Sequence, residues 1–201
     1  MFRDQYQDGK HVQLLSVADK TSINKWTVQG SLKKAFDKSV KGYVYITDVG
    51  TKLSLPSSRR DELALLQGTV LLQCKLLDKK SFQLEVLFTD TSGVKRRIYY
   101  SGATHFTYSK NNIHKAPLNA RIPSSMLLEG VWLNLQFDIL SFITNCFSDC
   151  QFRQIDGIAV TGALLLKRIA TYKIEIPDSL QYVIEKEFGE KAANDYEQYV
   201  L

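Results

Sequence analysis

Apolar and polar positions alternate in short runs along this chain, and clusters of turn residues separate the runs. That pattern predicts an antiparallel β-sandwich. The clearest case is a hairpin. Phe82, Leu84, Val86 and Phe88 alternate with Gln83, Glu85 and Leu87 at a period of two. The turn follows at Asp90-Thr91-Ser92-Gly93, where Gly93 can take a positive φ, and residues 94–100 return. In the returning strand Lys95, Arg97 and Tyr99 share the solvent phase. Arg96 falls in phase with Val94, Ile98 and Tyr100, so it needs a partner on the covered face. Asp138 and Asp156, each within or beside an apolar strand, are the candidates for that partner, or else cap turns.

Further strands are expected at 11–17, 25–28, 43–48, 52–55, 70–77, 131–139, 155–160 and 164–169, for nine or ten in all. Residues 70–77 are apolar nearly throughout, as a strand buried on both sides would be. Helix is scarce. Residues 140–146 read as one short turn. The stronger case is the tail, where Pro177-Asp178-Ser179 supplies a cap. Leu180, Val183, Ile184 and Phe188 follow at helical spacing, as do Ala192 and Tyr196, although Gly189 interrupts at a cost of about 1 kcal/mol. The chain is therefore expected to be an all-β body over 1–176 with a short amphipathic helix in an acidic tail, 177–201.

Charge sharpens that division. The chain has 26 Lys/Arg against 21 Asp/Glu, a net +5. Residues 178–201 hold two of the cations and six of the acids, which leaves 24 against 15 in the rest. A basic body carrying an acidic tail favours an acidic partner, whether nucleic acid, anionic membrane or an acidic protein surface. Apolar residues make up 44% of the sequence, enough for a core and too many for global disorder.

Three cysteines, Cys74, Cys146 and Cys150, form no regular framework and read as a reducing compartment. The opening MFRDQYQDGK has no apolar core, so no secretory signal is expected. No run of about 18 apolar residues predicts a membrane span.

Catalytic chemistry is hard to find. There is no Gly-x-Ser-x-Gly elbow, no phosphate loop and no dinucleotide fingerprint. Cys146-x-x-x-Cys150 lacks the companion ligands that structural zinc requires, so idle thiols are the expectation. His11, His105 and His114 are far apart in sequence, and the last two read as loop residues. No catalytic residue, metal or cofactor is expected. Trp132 lies on the polar phase of its strand with Asn134 and Gln136, which points to exposure and to a possible stacking platform. Packing is nonetheless the commoner role of large aromatics on a sandwich. Tyr43 and Tyr45 share one face with the same ambiguity.

The positive signal is the set of basic clusters: Lys33-Lys34, Arg59-Arg60, Lys79-Lys80, Lys95-Arg96-Arg97 and Lys167-Arg168. Taken alone they indicate an acidic partner of unspecified kind.

Several collinear segments carry a family likeness. They are Met1-Phe2 with Tyr6-Gln7, Lys25-Trp26, and Phe36-Asp37-Lys38 leading into Gly42-Tyr43-Val44-Tyr45. Leu55-Pro56, Phe82-Gln83-Leu84-Glu85-Val86, Lys95-Arg96-Arg97-Ile98 with Ser101, and Leu118-x-Ala120-x-Ile122-Pro123 continue the series. Trp132-x-Asn134-Leu135 with Asp138 and Phe142, Asp156-Gly157-Ile158-x-Val160, and Lys167-Arg168-Ile169 complete it. Across residues 1–173 the chain resembles the cilia- and flagella-associated protein 20 domain family, and it is closer to the branch in which the domain begins a longer protein.

The resemblance implies a jelly-roll-like β-sandwich without enzymatic activity. It implies a structural, microtubule-associated role in the cytoplasm and cytoskeleton, at the inner junction of the doublet microtubules of a cilium or flagellum axoneme. A centriole wall or basal body is the alternative place. The implied partners are tubulin in the microtubule lattice and neighbouring inner-junction proteins, with no membrane. Tubulin is acidic, which suits the basic body. Lys33, Lys34, Lys95, Arg97, Lys167 and Arg168 are the residues expected to bind tubulin or another partner. The alternative function is a carbohydrate-binding or nucleic-acid-binding β-sandwich module, stacking its ligand on Trp132 or the tyrosines.

Overall fold

The computed structural model describes residues 7, 9, 11–58, 61–102, 113–124, 127–173 and 197–200. The chain folds as two stacked seven-stranded sheets. The strands are β1 (His11–Ser16), β2 (Thr27–Gln29), β3 (Leu32–Asp37), β4 (Gly42–Thr47), β5 (Lys52–Leu55), β6 (Thr69–Leu76) and β7 (Gln83–Asp90). There follow β8 (Lys95–Ser101), β9 (His114–Ala116), β10 (Asn119–Pro123), β11 (Trp132–Asp138), β12 (Phe152–Thr161), β13 (Leu164–Tyr172) and β14 (Glu197–Val200). A single α-helix, α1 (Ile139–Cys146), and a 3₁₀ turn at Ser22–Lys25 complete the described elements.

The first sheet runs β14-β11-β6-β13-β4-β3, with β1 also paired to β13. The second runs β2-β5-β12-β7-β8-β10-β9. Their inner faces interlock as the alternation predicts. Leu72, Cys74, Leu133, Leu135, Leu166 and Ile169 of the first sheet meet Leu84, Val86, Phe88, Ile98, Ile158 and Val160 of the second. Tyr100 packs edge-on against Phe137 at 5.1 Å between ring centres, joining the layers.

The all-β sandwich is as expected, with fourteen strands among the described residues where the pattern predicted nine or ten. Four strands escaped the pattern. β3 carries Lys33-Lys34 in its middle and lies at a sheet edge, so neither of its faces is uniformly apolar. β9 and β10 are short and polar. β14 falls in the tail where helix was expected. Glu197–Val200 pairs in parallel with Leu133–Gln136, the edge of β11 that β6 leaves open. The expected helix from Pro177 onward, Arg59-Arg60 and His105 lie outside the described residues.

Two pairings depart from an antiparallel plan, β8 with β10 and β11 with β14. Neither parallel pair is joined by a tight turn, as parallel geometry requires.

Arg96 does find a partner inside the sandwich edge, but the partner is Asp90. Arg96 Nε donates to Asp90 Oδ2 at 3.1 Å, its guanidinium also reaches the Pro117 carbonyl, and it lies 5.3 Å from the Phe147 ring centre. Asp138 instead caps α1, accepting from Ser141 N at 3.1 Å. Asp156 is buried and accepts from the Thr89 hydroxyl and from Gln154 Nε2 at 2.6 Å.

Trp132 is not exposed. It is 7% accessible, packs with Val40 and Val44 on the outer face of the first sheet, and donates from Nε1 to Ser39 Oγ at 2.9 Å. The β3–β4 turn folds over it, so the polar phase of its strand is covered from outside.

Candidate interaction surface

The six basic residues singled out from sequence do not converge on one surface. They occupy three places: Lys95 and Arg97 on β8, Lys167 and Arg168 on β13, and Lys33 and Lys34 on β3.

Strand β8 borders a groove of about 1000 Å³ on the outer face of the second sheet. Ser54, Gly157 and Ala159 give it a small-residue floor, and Lys52, Glu85, Arg97 and Tyr99 stand over it. Lys95, Arg97 and Tyr99 are on the solvent side, as their phase required. Their charge is largely spent locally. Glu85 pairs with Lys52 at 2.8 Å and with Arg97 at 3.2 Å, and Lys95 reaches Glu62 at 2.6 Å. Arg97 NH1 also donates to Tyr99 OH at 3.4 Å, and the Arg121 guanidinium lies 4.5 Å from the Tyr99 ring centre. The Tyr99 hydroxyl and the Glu85 carboxylate hold the Arg97 guanidinium above its ordinary pKa against the opposing effect of burial. A ladder of alternating charge such as this one orders the face more than it attracts an anion.

On β13, Lys167 sits at a bulge, and both it and Arg168 are half-buried. The Lys167 carbonyl accepts from Val17 N, which ties β13 to the end of β1. These two residues belong to the centre of the first sheet and present no open cationic patch.

Strand β3 is different. With β4 it forms a hairpin at the edge of the first sheet, and four exposed lysines stud it: Lys33, Lys34, Lys38 and Lys41. None of the four forms an ion pair with a described residue. On the face of Lys34 lie Phe36 and Tyr43, directly opposed in the ladder, 57% and 58% accessible, packed edge to face at 5.7 Å, while Lys33 falls on the opposite face with Val44 and Ile46. Lys34 Nζ lies 5.3 Å from the Tyr43 ring centre and donates to the Val17 carbonyl at 3.0 Å. Tyr43 and Tyr45 do share a face, but Tyr45 reaches the main core and Tyr43 overhangs it. Sequence reasoning marked Lys33-Lys34 and missed the exposed aromatic pair. The available signal was Lys38 and Lys41 flanking the turn.

The described cysteines and histidines do not line the groove. Burial pushes the Cys74 thiol up to about 12, and burial also raises Cys146 and Cys150. Cys150 Sγ lies 3.8 Å from Asp90 Oδ2. His11 stacks on Tyr172 on the first sheet, and His114 is exposed on β9, so neither lines the groove. Among the described residues no three His, Cys, Asp or Glu side chains gather in a metal-binding group.

A family model, the CFA20 domain, matches residues 1–181. The chain belongs to the CFA20 domain family. That family is associated with cilia and flagella. The CFA20 domain here is also similar in shape to part of a solved agarase, AgWH50C, at 8% identity and a TM-score of 0.34. That alignment takes in 84% of this chain and 25% of the agarase, so the chain spans about a quarter of that protein's length. Among the described residues no helix of the CFA20 domain is long and apolar enough to cross a membrane.

Proposed function

We propose that this domain is a non-enzymatic structural protein of ciliary or flagellar microtubules, of the inner-junction type, which holds tubulin and neighbouring axonemal proteins by surface fit. A centriole wall would use the same surface chemistry. The observation that carries the reading is the β3–β4 hairpin of a CFA20 domain, where four lysines stand without a carboxylate partner among the described residues. A fixed cationic face of this kind suits an acidic lattice. The groove on the second sheet adds a shaped but charge-balanced face, which fits a neighbouring protein better than a polyanion. The raised thiols and the ion-paired groove residues support binding over catalysis. Burial of Trp132 removes one side chain offered for a sugar-stacking platform and leaves Tyr43 as the other.

Co-sedimentation of the purified 201-residue chain with polymerised microtubules tests the reading. The expected result is saturable pelleting that weakens as salt rises. Failure to pellet at both low and moderate salt, with a tagged copy absent from isolated axonemes, overturns it.

A further inference from the structure

We infer that the β3–β4 hairpin is the docking anchor of this domain, with Phe36 and Tyr43 entering an apolar depression on an acidic protein surface and Lys34, Lys38 and Lys41 pairing with its carboxylates. The inference rests on the proposed partner class and assigns it to one element.

Lysines on an edge strand have a plain explanation, because they keep sheet edges from pairing with other chains. That explanation covers Lys33 and Lys34. It does not cover two large aromatics left more than half accessible beside them. Exposed apolar pairs rimmed by charge mark interaction sites. Aromatics of this kind, central and ringed by polar groups, supply most of the binding energy at protein interfaces.

The hairpin is also held rigid. Asp37 Oδ1 accepts from Ser39 N at 2.8 Å and Val40 N at 3.2 Å, which closes the turn. Ser39 Oγ then accepts from the Trp132 indole, and Val40 packs on the same ring. Lys34 fixes one flank through the Val17 carbonyl. The backbone that carries Phe36 and Tyr43 is thus braced before any partner arrives, which lowers the ordering cost on binding. Lys34 on the aromatic face, with Lys38 and Lys41 at the turn, sets the sign of the partner, whereas Lys33 and Asp37 share the other face. An acidic protein surface satisfies both halves of the patch. An oligonucleotide or an anionic membrane satisfies the lysines but gives no reason for a rigid, paired aromatic anchor in place of flexible basic side chains.

The experiment compares the full chain with F36A/Y43A, with K38E/K41E and with K79E on a distant turn, each checked by thermal melting. Microtubules are the first probe, and an acidic Glu-rich peptide carrying one Leu, followed by amide chemical shifts, is the second. Both hairpin variants are expected to melt like the parent and to bind microtubules roughly tenfold or more weakly, with K79E unchanged. If they bind like the parent, the hairpin assignment is overturned while the microtubule reading stands. If the parent itself does not pellet at low and moderate salt and a tagged copy is absent from axonemes, the microtubule reading falls and the peptide decides. Shifts centred on residues 33–43 uphold the anchor, whereas shifts elsewhere or none overturn it. Preference for an oligonucleotide or anionic vesicles over the peptide, lost in the lysine variant and retained in F36A/Y43A, also overturns it.

Discussion

Asp90 and Arg96 form an ion pair across the end of the β7–β8 hairpin, with Asp90 Oδ2 3.1 Å from Arg96 Nε and Asp90 only 2% accessible. Asp90 Oδ1 accepts from Val94 N at 2.8 Å, so one carboxylate closes the turn and neutralises the inward cation. Burial opposes its ionisation, but the Val94 amide and the Arg96 guanidinium outweigh burial and hold the carboxyl below its ordinary 3.8. A lowered native pKa means that the unfolded chain binds the proton more readily. The stabilisation is therefore complete above the unfolded value and is lost as pH falls through the native one. Asp90→Asn should reduce stability at pH 7 and should flatten the acid limb of the stability profile. Urea unfolding of both proteins across the acid range checks this, and parallel acid limbs would contradict it.

Asp90→Ala is a harsher change, because it leaves the Arg96 guanidinium in place without its carboxylate. Breaking a buried pair from one side costs about 3–5 kcal/mol. Arg96 keeps some access to solvent and the Pro117 carbonyl, so about 2–3 kcal/mol is expected here. Replacing both residues by apolar ones of similar size should recover much of the loss, and a double-mutant cycle measures it.

Gly162 marks the sharp connection from β12 to β13. It has φ +123°, and a Cβ there would come within 2.7 Å of the Ser81 carbonyl oxygen. Its own carbonyl accepts from Thr47 Oγ1 at 2.7 Å. Gly162→Ala therefore meets both a strained backbone and fixed main chain, at a cost of about 1–3 kcal/mol or more. Chemical denaturation should show a lower midpoint with an unchanged slope.

The inner face of the sandwich was legible because its strands bury one face and expose the other. Phe82, Leu84, Val86 and Phe88 are all buried, and Lys95 and Arg97 face outward, so period-two phase carried those assignments. Phase fails where a second layer lies outside the sheet. Trp132, Asn134 and Gln136 sit on the polar side of β11 and are buried nonetheless. It fails again at β3, an edge with no buried face of its own. Asp90 was missed as the Arg96 partner because the sequence places it in a turn, where a capping role already explains it. The basic clusters were visible, but their partners were not. Glu62 and Glu85 neutralise Lys95 and Arg97 because folding brings the β5–β6 connection and β7 beside β8.

That neutralisation separates two charge reversals. Lys95 is exposed and bonded to a partly exposed Glu62, so Lys95→Glu should leave the melting temperature within about 2 °C of the parent, as surface pairs contribute at most about 1 kcal/mol. Arg97→Glu would set a carboxylate beside Glu85 and should cost more, because the like charges lie on neighbouring strands. Equal melting temperatures for the two variants would refute the Glu85 bridge.

The Trp132–Ser39 hydrogen bond makes a prediction about order. Trp132→Phe keeps most of the ring packing on Val40 and Val44 but removes the indole donor, at a cost of about 0.5–1.5 kcal/mol. Trp132→Ala also empties the space under the turn and should cost about 3–5 kcal/mol. In both variants hydrogen exchange should speed up first at the amides of 39–44, before the main core is affected, because the hairpin turn leans on this contact through Ser39, Val40 and Val44. Tyr43 should then lose its fixed place beside Phe36, and microtubule binding should weaken even in the Phe variant. Unchanged exchange at 39–44 in Trp132→Phe would mean that the turn holds its shape through Asp37 alone.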